Sequence, residues 1–454
     1  MLRSTDNEQH PMPNIQYPIF NTQYSMRIAL PVHKFPPESL GGTEIYTLTL
    51  ARALVQAGHS VAVFYPSTRV TQLTNDATPE GIQRWRAPLP PTRASENPAS
   101  QFWHTFRDQA IEGAFSVFLQ QVQPDLVHFQ HVQGVSARLI ELATGRPLLA
   151  TLHDYWYFCA NSQLIRPDRQ PCNGPNWGCR NCVDCATARA DLEPLRRLRP
   201  LVALPFTYRN HYLRRMVDQI DRFIAPSEFL RQQYINQGWS PAKIVTLENG
   251  MDRRRLLDAP ALDLPAPPAR PHVGFIGSLA WQKGVHILID AFNQLPPGAA
   301  ALTIYGSETV FPDYAAELRQ QARHPQIRFA GPIGFDHVGA ALRQFDALVT
   351  PSLWYENSPL VIQEAFIMGV PVIASRLGAL TEKVQEGRNG LLFTAGDSKD
   401  LATVLQRLID QPEQLTHLRQ GITPPPTLVE HVTQVIDLYT DLVQQHGQRR
   451  RQRV

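Results

Sequence analysis

The chain has 454 residues, 43% of them hydrophobic and 18% charged, too long for one ordinary core and about right for two globular domains. Its 43 Lys plus Arg against 40 Asp plus Glu leave a net charge of +3, too weak a field to argue for a nucleic-acid partner. No apolar run approaches the roughly 18 residues of a membrane span, so a cytoplasmic protein is the default expectation.

The start, residues 1–25, is polar and Pro-containing, without the apolar core of a signal peptide. It reads as a disordered extension, and Met26 as an alternative start. An N-terminal Rossmann-like domain is expected over 26–252. Arg27–Val32 reads as its opening strand, and Ile45, Leu48, Ala51, Leu54 and Val55 form a helical stripe closed by Gly58. Val61–Tyr65, Leu126–Phe129, Leu148–Leu152, Phe223–Ala225 and Ile244–Leu247 read as further strands. A Pro-rich stretch over 253–271 reads as a linker. The pattern restarts over 272–425, with strands at Val273–Ile276, Leu302–Tyr305, Ile327–Phe329, Ala347–Thr350 and Val370–Ala374. A C-terminal helix over 426–446, packing back toward the first domain, and a flexible basic tail over 447–454 complete the reading. Strands alternating with helices imply an α/β protein of two doubly wound sheets, with ligand in the cleft between them.

The chemistry-bearing segments fall at expected strand ends. Gly41 and Gly42 follow the first strand and open a helix, where a backbone can approach an anion closely. His153, in T-L-H-D, ends another strand; it can bond a sugar hydroxyl, or serve as a structural partner of Asp154. Ser278 and Lys283 lie in G-S-L-A-W-Q-K-G after the first strand of the second domain, and Lys283 can give a point charge to a diphosphate. Glu356 and Glu364 bracket E-N-S-P-L-V-I-Q-E. There Ser358 suits an N-cap, Pro359 the first helical position and Gly369 the residue past the end, so a helix is expected over about 359–368.

Together these segments, with A-P-S-E-F at 225–229 and E-N-G-M-D at 248–252, resemble the retaining glycosyltransferases of family 4, which have the GT-B fold. The likeness runs from about Met26 to Asp410. It implies transfer of a hexose-type sugar, with retention, from a UDP- or GDP-linked donor to a glycan or lipid-linked acceptor in surface polysaccharide synthesis. Glu356 would contact donor-sugar hydroxyls and Glu364 the ribose. Backbone amides of Asn357, Ser358, Pro359 and Leu360 would hold the sugar and diphosphate. Lys283 would neutralise the diphosphate, Gly42 would approach it from the other domain, and His153 would lie near the reacting carbon. The family often carries Arg where this chain has Ser278, and Arg376 is read as a substitute. No D-x-D triplet occurs, so neither a metal on the diphosphate nor a catalytic cofactor is suggested. A non-catalytic carbohydrate-binding or scaffold protein, a sugar-nucleotide epimerase and a phosphorylase are the alternatives on the same fold. Lys383 and Lys399 lie in no context that suggests a pyridoxal site.

Two further features stand apart. All five cysteines fall in a turn-rich insert over 159–185. Cys172, Cys179, Cys182 and Cys185 are candidate ligands of a structural zinc, with an iron–sulfur cluster, free thiols or a disulfide as other readings. From Arg189 to Arg222, eight Arg stand against four acids, interleaved with Phe206, Tyr208, Tyr212 and Leu213. This reads either as a peripheral membrane face or as a solvated helix.

Overall fold

The computed structural model describes residues 25–39, 41–95, 98–189, 193–262 and 270–452. The extension read over 1–25 lies outside these except for Ser25. Eight strands form the first sheet: β1 (Arg27–Pro31), β2 (Ser60–Ser67), β3 (Thr74–Ala77), β4 (Gln83–Pro88), β5 (Leu126–Phe129), β6 (Leu148–Thr151), β7 (Arg222–Ala225) and β8 (Ile244–Thr246). Their order is β3-β4-β2-β1-β5-β6-β7-β8. Six form the second: β9 (His272–Ile276), β10 (Ala301–Tyr305), β11 (Ile327–Gly331), β12 (Ala347–Thr350), β13 (Val372–Ser375) and β14 (Gly390–Phe393), ordered β11-β10-β9-β12-β13-β14. The pairs are parallel, except that β3 runs antiparallel to β4.

The inner strands are continuous apolar runs because helices cover both sheet faces. Ile28 and Leu30 face one core of the first domain, and Ala29, on the alternate side, faces the other. The second sheet is likewise flanked by two cores. In both sheets the order reverses beside the first strand, since β1 lies between β2 and β5, and β9 between β10 and β12. That reversal opens a crevice at the carboxyl ends of the strands.

The chain passes between the domains twice, side by side. Met251 N–H donates to Pro426 O (3.0 Å), and Leu428 N–H donates back to Met251 O (3.0 Å). Gly250 has no side chain for a steric reason: a Cβ there would stand 2.5 Å from His431 Cβ and 2.7 Å from Thr427 O. After the second passage a capping box, Thr427 with Glu430, starts the Leu428–Arg451 helix. Its Leu428, Val432, Val435, Ile436, Tyr439 and Leu442 complete a core of the first domain. Tyr439 Oη meets His128 Nδ1 at 2.7 Å, and Tyr46 Oη meets His431 Nε2 at 2.9 Å.

Two readings need correction, and two strands were not anticipated. The stretch taken as the beginning of the linker is the Arg253–Leu257 helix, capped by Asp252; residues 263–269 lie outside the described ones. Arg449, Arg450 and Arg451 extend the C-terminal helix rather than forming a flexible tail, and Arg449 stands 3.6 Å from Asp221. The unanticipated strands β3 and β4 carry T-N-D-A and Q-R-W-R-A-P, which are largely polar instead of forming an apolar run, with β3 at the sheet edge and β4 beside it.

Candidate active site in the interdomain cleft

Lys283 and Glu356 come together at the carboxyl ends of β9 and β12. The Trp281–Lys283 turn ends at Gly284, whose φ is +70. A Cβ there would stand 1.8 Å from Pro351 O, so glycine allows this turn to press against the segment leaving β12. Lys283 Nζ then donates to Glu356 Oε1 at 2.7 Å, and Ser352 Oγ (2.8 Å) and Trp354 Nε1 (2.9 Å) donate to the same oxygen. The Lys283 ammonium also stands 5.4 Å from the Trp354 ring centre. Three donors fix a buried carboxylate in one orientation, and the positive charge beside it offsets part of its desolvation.

The helix after this carboxylate spans Leu360–Ile367, and Gly369 follows its end with φ +69. The N-cap is Pro359, not Ser358, and no side chain caps the helix. Ser358 cannot cap because the helix begins one residue later than its spacing implies. Its Oγ and the Asn357 Oδ1 are both buried without a hydrogen-bond partner. An uncapped helix start beside buried, unused polar atoms is suited to an anionic, hydroxyl-rich ligand.

Glu364, one turn into this helix, is ion-paired with Arg255. Arg255 also donates to Phe335 O and lies 3.7 Å from the Phe335 ring centre. Sequence reasoning assigned Arg255 to the linker and missed it. The signal that could have found it is D-R-R-R-L directly after E-N-G-M, with Asp252 as a helix cap. Arg376, by contrast, is exposed and faces Glu386 at 3.5 Å, so it is not the arginine that meets the two-glutamate unit. Ser278 is exposed on the turn after β9.

The first domain supplies the opposite wall. Gly41 is the N-cap of the Gly42–Gln56 helix, and a Cβ on Gly42 would meet nothing within 4 Å. Between this helix and the Leu360–Ile367 helix is a crevice lined by Tyr46, Thr49, Arg255, Phe335, Leu360 and Glu364. His153 follows β6, and its carbonyl accepts a 2.6 Å bond from Asn357 Nδ2, joining the two domains at the site. His153 Nε2 donates to Gln130 Oε1 at 3.2 Å. Burial, with His131 and His128 adding, holds His153 well below the usual histidine range. It is therefore neutral near pH 7 and able to hydrogen-bond rather than to act as a cation. Its alternative partner by sequence, Asp154, instead meets His131 Nε2 at 3.0 Å.

The cysteines line a different place. Cys159, Cys172, Cys182 and Cys185 face a cavity of about 1010 Å³ in the first domain. Cys172 Sγ lies 3.6 Å from Gly174 O, and Cys185 Sγ 3.8 Å from Ile165 O. Asn210 Nδ2 stands 3.4 Å from Cys179 Sγ. Cys179 and Cys182 also hydrogen-bond to each other, and Asn181 lies between Cys172 and Cys182. Among the described residues no three His, Cys, Asp or Glu side chains converge as a metal would require.

Two doubly wound domains facing a cleft, with paired glutamates and a lysine on one wall and a glycine-opened helix on the other, define a GT-B glycosyltransferase. The chain belongs to the group 1 glycosyltransferases. The family model described as Glycosyltransferase Family 4 matches residues 40–255, and the one described as Glycosyl transferases group 1 matches 270–411. The chain is 26% identical to glycogen synthase of Mycobacterium tuberculosis over 417 residues, covering 85% of this chain and 87% of that one. It is 24% identical to D-inositol 3-phosphate glycosyltransferase 2 of Catenulispora acidiphila over 412 residues, covering 85% and 86%. The structure of Anabaena HepE in complex with UDP and glucose matches with a TM-score of 0.60 at 17% identity, over 92% of this chain and all of that one; this likeness shows the fold.

Proposed function

We propose that the protein transfers a hexose from a nucleotide-sugar donor to a glycan or lipid-linked acceptor, with retention of anomeric configuration, in surface polysaccharide synthesis. The observation that carries this reading is the convergence of Lys283, Ser352 and Trp354 on Glu356 beside the uncapped start of the Leu360–Ile367 helix. In the reaction the bond from the sugar's anomeric carbon to the diphosphate breaks. A bond to the acceptor oxygen forms on the same face, and the acceptor's proton passes to the departing diphosphate oxygen. Stabilising that departing charge is then the main catalytic task. Lys283 and the free N–H groups of the helix start supply positive potential for it. Glu356 holds donor-sugar hydroxyls, Glu364 the ribose, and neutral His153 a sugar hydroxyl near the reacting carbon. That HepE was solved with UDP and glucose supports a nucleotide donor of this kind.

The test is slow donor hydrolysis followed by proton NMR, with a panel of UDP-, GDP- and ADP-linked α-sugars. Release of the α-anomer first, dependent on Glu356 and Lys283, is the expected result. First release of the β-anomer would overturn retention, and no turnover of any donor would favour a non-catalytic carbohydrate-binding protein.

A further inference from the structure

An apolar, arginine-flanked surface borders the large cavity of the first domain. It is built by the stretch from Leu195 through the Arg199–Val202 and Leu204–Val217 helices. Leu198 precedes the first of these helices, Leu201 lies in it, and Leu204 and Tyr208 lie in the second, spaced at intervals of three and four along the stretch. These four side chains are turned to solvent: Leu201 is 63% exposed, Leu204 61%, Tyr208 58% and Leu198 50%. Trp103, 58% exposed, joins it through Phe106, whose ring lies 5.6 Å from Trp103 and 5.3 Å from Tyr208. The side chains that would make it an ordinary amphipathic core face are elsewhere, since Leu213 and Met216 point inward and are buried.

The charged residues of 195–217 are arginines, two of which, Arg196 and Arg199, are paired with Asp184. Arg197 and Arg199 flank Leu198 and are exposed, and Arg215, about two helical turns beyond Tyr208 and three beyond Leu204, is exposed as well. Arg199 lies 2.5 Å from Asp184, which leaves Arg197 and Arg215 as exposed arginines without a carboxylate partner among the described residues. The surface is also continuous with the cavity. Leu195, Val202, Pro205, Phe206 and Trp103 line the cavity from this side, so the opening lies beside the exposed leucines.

We propose that this face lies in the headgroup region of an anionic lipid bilayer and that the cavity opens onto the lipid surface. Leucine, tryptophan and tyrosine side chains between arginines are the chemistry of an interfacial contact: apolar groups enter the acyl boundary and the cations meet anionic headgroups. The placement deepens the proposed transfer reaction and rests on it in one respect, the acceptor. An acceptor presented at this opening is lipid-linked, with its sugar portion in the cavity and its lipid portion in the bilayer.

The test is co-sedimentation of the full chain with vesicles of phosphatidylglycerol and phosphatidylcholine, and with phosphatidylcholine alone. The variant is L198S/L201S/L204S, which alters exposed side chains only. Wild-type protein is expected to bind the anionic vesicles, to leave them as salt rises, and to lose at least about tenfold in affinity in the variant. Binding of UDP, GDP or ADP, read by thermal shift on the same samples, is expected to be equal in both proteins, so failure of the donor site is separable from failure of the membrane face. Absence of vesicle binding, or equal binding by the variant, would overturn the proposal. So would a concentration-dependent dimer of the wild type that the variant abolishes, since it would assign the face to a second copy of the chain.

Discussion

Arg255 and Glu364 form an ion pair in which both side chains are less than a tenth exposed. The arginine comes from the short helix that follows the first passage between the domains, and the glutamate from the Leu360–Ile367 helix of the candidate site. The pair thus couples the interdomain connection to the site. Removing one member of such a pair leaves a buried charge without its partner, whereas removing both can be nearly neutral. Arg255→Met is expected to lower stability by on the order of 3 kcal/mol, read as a fall in thermal midpoint. Arg255→Met/Glu364→Met is expected to recover most of the loss. A double variant no more stable than the single one would contradict this account.

Ser278 departs from the family's usual arginine, and its exposed position leaves room for one. Lys283 is held by Glu356 in the free protein (2.7 Å), so an arginine at position 278 would add a cation for a diphosphate. Ser278→Arg is expected to tighten nucleoside-diphosphate binding by about tenfold, the scale of one added charge-assisted hydrogen bond. Calorimetric titration reads it directly. Unchanged affinity would mean that the turn after β9 does not face the diphosphate.

The C-terminal helix is held to the first domain by histidines that must stay neutral. His128, between Tyr439 Oη (2.7 Å) and Thr151 Oγ1 (2.8 Å), is pushed down to about 3 by burial, with His431 adding. His431, between Tyr46 Oη (2.9 Å) and Glu248 O (2.8 Å), is pushed down to about 4 by burial. Between the ordinary value of 6.5 and these lowered ones, the unfolded chain binds protons that the folded chain excludes. Stability is therefore full above pH 6.5 and falls as pH drops, by roughly 1.4 kcal/mol per pH unit for each such group. Thermal midpoints measured from pH 7.5 to 5 are expected to fall below pH 6.5, and hydrogen exchange to open the Leu428–Arg451 helix early. A flat profile would show that these histidines are not held neutral.

Much of the scaffold was legible in the sequence, because inner strands buried on both faces are short apolar runs and the runs at Leu126–Phe129 and Ala347–Thr350 have no competing period. The edge strand β3 and its neighbour β4 were not, since their residues are largely polar and their pairing is set by tertiary contact. At the candidate site, Glu356, Glu364 and Lys283 were singled out because their spacing matches a known pattern. Their partners were not. Arg255 lies 109 positions from Glu364 in sequence, Ser352 and Trp354 have no distinguishing context, and only the folded chain brings them to the carboxylates. The Ser358 cap failed for a local reason, a helix that starts at Leu360.

The most direct test of the central claim is calorimetric titration of UDP, GDP and ADP into the wild type and into Lys283→Ala and Glu364→Ala. Lys283→Ala leaves Glu356 with two hydrogen-bond donors, Ser352 and Trp354, so the fold is expected to persist and the loss to be one of binding. The account predicts that one nucleotide family binds the wild type and that each variant loses at least about tenfold in affinity, with far-UV circular dichroism unchanged. Nucleotide affinity equal to wild type in both variants would place the donor somewhere other than this cleft wall.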